Sequence, residues 1–449
     1  MKLRKITLLL LANIVSLGLL AEGYQLNLQS TKQLGMGHLG AALKLGGESM
    51  VFNPAGMAFM TNKSELSFGV NGVLSKVKYS SGTTSAYTQN PMGTPLYGYY
   101  SVKIAKNLVA GVSISNPAGN SLVWGDNWAG ALLIQNIELK AFSVQPTIAW
   151  KIGEKFSIGA GLMVNFGDFS ISKGLIPIGG LSTLAAAVST LAPVINYYKS
   201  SVPVSLNLSG KTTTSYGFNV GILYEPTPKL SIGVSYRSNV DMSVEDGKAS
   251  VKYVGPAMKN VIVTAAGITA LPQATRDSFN GILALDNAGF KVSLPLPSDL
   301  KIGVAYKPTA NFTVSGEIDY VGWSKYDKLV FDFNTLTDSE VTKNWKNTLT
   351  YRVGAQYVAT EKVTARFGFI YDKTPVDVAY YNPETPGANK FSITTGFTFT
   401  PCKKVDIDVA VQYLNGKKIE GTSALGTSTF VGTYKTLALI PSLGVKFKF

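Results

Sequence analysis

The chain has 449 residues, of which 45% are hydrophobic and only 15% charged, with 45 Gly, 22 Tyr and 21 Phe. Soluble domains average about 25% charged residues and about 7% Gly. Low charge and a mean hydropathy of +0.15 therefore exclude a disordered chain and make a typical secreted enzyme a poor fit. One cysteine, Cys402, excludes an intrachain disulfide, and one histidine, His38, excludes a histidine-based metal cluster.

Lys2, Arg4 and Lys5 precede an apolar run from Ile6 to Leu20 that ends on the small residue Ala21. This pattern predicts a secretory signal peptide over residues 1–21, to be set apart from the fold. No spanning helix is expected after it. The longest uncharged stretch lies between Lys173 and Lys199 and is broken by Pro177, Gly179, Gly180 and Pro193. An exported, apolar chain of this kind has one remaining way to satisfy its backbone in lipid, a closed β-barrel.

Residues 22–63 do not read as strands. They are rich in Gly35, Gly37, Gly40, Ala41, Ala42, Gly46, Gly47, Ala55 and Gly56. Residues 35–40 form a G-x-G-x-x-G pattern, but the lead-in Gln29-Ser30-Thr31-Lys32-Gln33 is no buried strand, so dinucleotide binding is set aside. A compact internal plug, or hatch, fits better. It closes on Phe52-Asn53-Pro54-Ala55-Gly56, a rigid turn because Asn bonds its own backbone, Pro fixes φ and Gly is permissive.

From residue 64 onward a period of two recurs. Leu230, Ile232, Val234 and Tyr236 alternate with Ser231, Gly233, Ser235 and Arg237; Val405, Ile407, Val409, Val411 and Tyr413 alternate with Asp406, Asp408, Ala410 and Gln412. Residues 363–371 and 442–449 repeat the pattern. Aromatics near strand ends (Tyr97, Tyr99, Tyr100, Trp150, Tyr224, Tyr306, Tyr413) suit interfacial girdles, and the chain ends on Phe449 in an amphipathic strand. The expected fold is all-β: a transmembrane antiparallel barrel over 64–449, of about fourteen strands. Tight turns are expected at Ala105–Asn107, Gly153-Glu154, Glu225–Pro228, Lys307–Thr309, Thr360-Glu361 and Pro401–Lys404.

Two connections are longer, near 172–203 and 255–296, and loops of that length are usually functional. Leu181, Leu184, Val188 and Leu191 recur at helical spacing in the first, as do Val261 and Ile262 with Met258, Ala265 and Ile268 in the second. They offer a rim packing face or a landing surface for an apolar ligand. A third feature is Asn116-Pro117-Ala118-Gly119, whose Pro and Gly interrupt the ladder at the end of the third strand, about 107–116.

The segment from Glu22 to Met60, with Gly23-Tyr24-Gln25-Leu26 at its start and Asn53-Pro54-Ala55-Gly56-Met57 at its end, resembles the hatch of FadL/TodX-type outer-membrane transporters of long-chain fatty acids and hydrocarbons. Tyr236-Arg237-Ser238, Leu294-Pro295-Leu296-Pro297, Gly322-Trp323-Ser324 and Tyr371-Asp372-Lys373-Thr374-Pro375-Val376 continue the resemblance in order along the chain. It implies a fourteen-stranded barrel with a hatch, an apolar groove on two outer loops, a lumen pocket, and sideways exit at a kinked third strand. By the same resemblance, Tyr24, Asn53, Pro54, Ala55 and Gly56 belong to the gate. Lys343 and Lys346 lie where the family has a basic residue for a carboxylate head group, and Asn116, Pro117 and Gly119 mark the exit strand. Pro386-Gly387-Ala388-Asn389-Lys390 departs from the family's Pro-Asp-x-x-Arg run, so ligand type does not carry over there.

The resulting expectation is passive uptake of a hydrophobic small molecule across the bacterial outer membrane, without cofactor, metal or nucleic acid. The barrel is expected to act as a monomer among outer-membrane lipid and lipopolysaccharide, placed there by the barrel-assembly machinery; the net charge of +14, still positive once Lys2, Arg4 and Lys5 leave with the signal peptide, suits an anionic amphiphile or lipopolysaccharide phosphates. A general porin or a surface adhesin is the alternative. A lipase-like enzyme lacks its G-x-S-x-G motif.

Overall fold

The computed structural model describes residues 23–334, 336–425 and 428–449; the predicted signal peptide at 1–21 lies outside them. Fourteen wall strands follow one another around a ring: Ser64–Asn71, Leu96–Ala105, Leu108–Ser115, Asn136–Ile152, Phe156–Gly174, Ser215–Thr227, Leu230–Arg237, Asp299–Thr309, Phe312–Val321, Thr348–Thr360, Val363–Asp372, Lys390–Cys402, Val405–Gly416 and Ser428–Lys448. Each pairs antiparallel with the next. The first then pairs with the last, Phe68 opposite Val445, and this closes the barrel.

The alternation has the polarity of a membrane wall. Phe367, Phe397 and Ile302 point outward and are about half exposed, at 54%, 50% and 51%, whereas Arg366, Asp406 and Asp408 are buried inside. A soluble sandwich would show the reverse. The longest strands, Phe156–Gly174 and Ser428–Lys448, exceed what a tilted crossing needs. Trp150, Tyr100, Tyr224, Tyr306 and Tyr413 face outward as expected of girdles, but Tyr97 and Tyr99 do not. They share the lumen face of their strand with one intervening Gly98, and their hydroxyls meet Thr31 and Gln29 of the plug.

Short turns at 106–107, 153–155, 228–229, 310–311, 361–362 and 403–404 define one end. Two strands run past the expected turns at Glu225–Pro228 and Lys307–Thr309, because bulges at Tyr224/Thr227 and Tyr306/Thr309 accommodate Pro226 and Pro308. The long connections leave from the other, outward end. The first carries helices Ser182–Ala187 and Ala192–Tyr197; the second carries Pro256–Gly267 and Gln273–Leu285. The expected span 255–296 is corrected at its end. Gly289–Leu296 is a strand that turns Phe290, Val292 and Leu294 into the lumen, and residues 172–174 likewise close Phe156–Gly174.

Residues 23–60 fill the lumen. Short helical turns at Thr31–Leu34, Ser49–Phe52 and Pro54–Phe59 are almost wholly buried against the inner wall.

Candidate transport path

The plug seats on bare wall. A Cβ on Gly233 would lie 1.8 Å from the Ala41 carbonyl oxygen, one on Gly221 2.0 Å from Asn53 Oδ1, one on Gly159 2.4 Å from Pro54, and one on Gly368 2.2 Å from the Gly37 nitrogen. These glycines belong to five different wall strands once Gly396, pressed on Gly35, is added. The excess glycine of the sequence thus marks where plug backbone meets barrel backbone. Asn53 locks that contact. Its Nδ2 donates to the carbonyls of Ala41 (2.6 Å) and Ile222 (3.0 Å), and its Oδ1 accepts from the Ala55 amide at 3.1 Å. Pro54 opens the turn that Asn53 caps, and Ala55 O accepts from Ser157 of the wall at 2.9 Å.

Charge holds the rest of the seat. Lys301 bridges Asp299 (2.7 Å) and Asp319 (2.9 Å), Arg352 joins Asp319 and Glu317, and Glu317 accepts the Gly40 and Ala41 amides at 2.9 and 2.6 Å. On the opposite side Glu48 pairs with Lys446 at 3.2 Å, and Lys446 also donates to the Leu45 carbonyl at 2.9 Å. Burial would raise the Glu48 carboxyl, but Lys446 and Lys32 outweigh it and hold it below the usual range. A cavity of about 540 Å³ opens below the plug between Lys32, Lys44, Glu225 and Lys448.

Above the plug the lumen changes character. Tyr24 packs its ring edge-on against Trp323 (5.0 Å) and Tyr326 (5.6 Å), beside Trp345, and its hydroxyl bonds the Pro295 carbonyl. Gly23 sits at φ +65, and a side chain there would collide with Trp323 and Trp345. Trp124 stacks on Trp128 at 4.2 Å, and Phe169, Phe290, Phe331, Phe333, Tyr381 and Tyr434 continue the same apolar cluster.

The third strand breaks at this level. Leu108–Ser115 stops, three residues follow without ladder, and Gly119–Val123 resumes against the same neighbour, Asn136–Ile152. The second strand does not continue beside it beyond Leu96, whose amide bonds Asn116 Oδ1 at 2.9 Å. Plug backbone takes that place: the Leu26 amide donates to Pro117 O (2.9 Å), and the Gly119 amide donates to Tyr24 O (2.8 Å). Asn116 Nδ2 ties back to Ala141 O at 2.8 Å. A small cavity of about 20 Å³ lies here between Gln25, Pro117, Ala118, Arg237 and Leu296.

The remaining sequence candidates divide. Lys343 is buried and ion-paired to Glu384 within the aromatic cluster, its ammonium 5.9 Å from the Tyr326 ring centre. Lys346 is exposed and bonds Asn344 at 2.6 Å, so the two lysines do not share a site. Leu181, Leu184, Leu191, Val261 and Ile262 are buried together, with Val188 half-buried at their edge, in one core that fuses the two outer loops. Sequence reasoning named the two ends of its segment, Lys373–Val376 and Pro386–Asn389, but not Glu384 or the inward fold between them. The connection 373–389 folds inward from the outer end, Pro383 O accepting from Trp124 Nε1 at 3.0 Å and Tyr381 packing at a tilt against Tyr434, 4.7 Å between ring centres. The Tyr380-Tyr381 pair and the Pro383-Glu384-Thr385-Pro386 run were the available signal.

A lipid-facing barrel stoppered by its own N-terminal segment is the architecture of a selective membrane channel. The family model of outer membrane transport proteins (OMPP1/FadL/TodX) matches residues 12–449, and the chain belongs to that family. Its place is the outer membrane, and the family's members are transport proteins rather than enzymes. Among curated relatives, the long-chain fatty acid transport protein of Salmonella typhi is 23% identical over 415 residues, covering 91% of this chain and 90% of that one. The 47 kDa outer membrane protein of Pasteurella multocida is 27% identical, covering 61% and 70%. Among solved structures, a Pseudomonas aeruginosa FadL homologue superposes with a TM-score of 0.77 at 20% identity, covering 95% of this chain and 100% of that one. The P. putida toluene transporter TodX gives 0.69 at 13% identity, covering 93% and 97%. These share the fourteen-stranded fold.

Proposed function

We propose that this protein passes a hydrophobic small molecule, a long-chain fatty acid or a hydrocarbon, across the outer membrane without an energy source. The observation that carries the reading is the third strand. Its break at Asn116–Ala118 is stitched to plug residues 24–26 instead of to a neighbouring strand, directly beneath an aromatic lumen. Movement of the plug therefore opens the wall sideways. Cargo lands on the fused outer loops, enters the cluster around Tyr24, Trp323 and Trp345, and leaves into the bilayer past Pro117 and Gly119. Burial at roughly 0.8 kcal/mol per CH₂ suffices to hold an acyl chain, and release needs the pocket to change shape.

In this reading Asn53, Pro54, Ala55 and Gly56 are the hinge of the gate, and Lys343 meets an anionic head group only after Glu384 leaves it. The barrel works as a monomer among outer-membrane lipid and lipopolysaccharide, after insertion by the assembly machinery. The test is uptake of labelled oleate and labelled toluene by a host lacking its own family member, beside single-channel conductance. Faster uptake of either with a closed electrical baseline is expected. A large steady pore would establish a general porin instead, and absent uptake would leave an adhesin.

A further inference from the structure

On the outward face of the last strand the apolar band stops abruptly. Leu443, Leu439 and Leu437 point outward, as does Leu74 on the neighbouring segment Leu74–Ser81. Two residues beyond Leu437 stands Lys435, directly opposite Lys78, and Lys76 lies one outward position back from Lys78. Tyr87 of Thr84–Tyr87 flanks Lys78 on its other side. The ammonium groups of Lys76 and Lys78 both sit over that one ring, 4.6 and 5.5 Å from its centre.

Like charges directly opposite across an antiparallel pair repel. Among the described residues none of the three lysines has an acidic partner at ion-pair distance. Glu420, opposite Thr433, is one diagonal step from Lys435 and does not reach it. The chain thus holds three cations together at the border where hydrocarbon gives way to head groups, on the end of the barrel that carries the long loops. Val77, between Lys76 and Lys78, and the paired Tyr79 and Tyr434, next to Lys78 and Lys435, point into the lumen, so the patch is separate from the transport path.

We propose that Lys76, Lys78 and Lys435 seat the phosphates of lipopolysaccharide, the phosphorylated glycolipid of the outer leaflet. Bound phosphate turns the repulsion into charge-assisted hydrogen bonding, Tyr87 packs against the sugar, and the acyl chains run down over Leu437, Leu439 and Leu74. The assignment rests on the outer-membrane placement and specifies one lipid contact of the reading above; the transported molecule plays no part in it.

The test titrates the purified full-length protein in detergent with bisphosphorylated lipid A and with its phosphate-free form, read by native mass spectrometry and by melting temperature. The bisphosphorylated form should stay bound and raise Tm. K78S/K435S should weaken that binding about tenfold at low salt, while its lipid-free Tm stays level or rises as the repulsion is removed. A control at exposed Lys248 and Lys252 should bind as the unaltered chain. Equal binding of the phosphate-free form, or unaltered binding by K78S/K435S, would overturn the proposal. So would lost binding accompanied by a lower lipid-free Tm, since the lysines would then be structural. Cargo uptake by the same variant is read separately, so failure of either reading leaves the other standing.

Discussion

The two halves of the lumen are closed by different physics. Toward the short turns, the plug is held by backbone lying on glycine, by Asn53 and by buried ion pairs around Lys301, Arg352 and Lys446. Toward the loops, closure rests on aromatic packing around Trp323, Trp345, Trp124 and Tyr434, with Lys343 and Glu384 as an ionic contact between the inward-folded connection and the connection 322–347. Directional bonds fix a geometry; apolar contacts are non-directional and tolerate exchange of partners. The lower half is therefore a latch, and the upper half is a solvent for cargo.

The sharpest way to break the contrast is to push the latch off its seat. Gly233→Val would drive a side chain into the Ala41 carbonyl, and should give a correctly inserted barrel whose residues 23–60 are open to limited proteolysis; unchanged protease resistance would show that the glycine seat is not what holds the plug. Next in size, Glu384→Ala leaves Lys343 buried without its partner, at a cost of about 3–5 kcal/mol. Limited proteolysis should then cut within 373–389 while heat-modifiable gel migration still reports a folded barrel. Asn53→Ala removes three hydrogen bonds, about 2–3 kcal/mol of latch stability, and should impair uptake more than assembly. Leu184→Asp should unpack the loop core and weaken capture at low ligand concentration, with Val188→Asp, at the half-buried edge, milder.

The smallest effect is acid sensitivity. The folded pKa of Glu48 lies below its ordinary value of 4.5, so its contribution is complete above that pH. It is lost as pH falls through the lower folded value. Protease access to residues 23–60 in detergent should rise only below pH 4.5, and Glu48→Gln should flatten that dependence.

Much of this was legible in the chain. Period-two patterning at 230–237 and 405–413 places Val234, Val409 and Tyr413 on the lipid face, and Pro117 with Gly119 announces the broken ladder. Other features depend on register, which neighbouring residues do not encode. Asp299, Lys301, Glu317, Asp319 and Arg352 come from three adjacent strands and look like scattered charges until those strands are aligned. Tyr97 and Tyr99 read as girdle residues because a tyrosine next to glycine fits either face; only the plug decides which. The inward fold of 373–389 depends on Lys343, forty-one positions from Glu384.

The connection at 373–389 enters from one end and the N-terminal segment from the other, so the cylinder is corked twice. A cell can then carry many copies without turning its outer surface into a sieve for hydrophilic antibiotics.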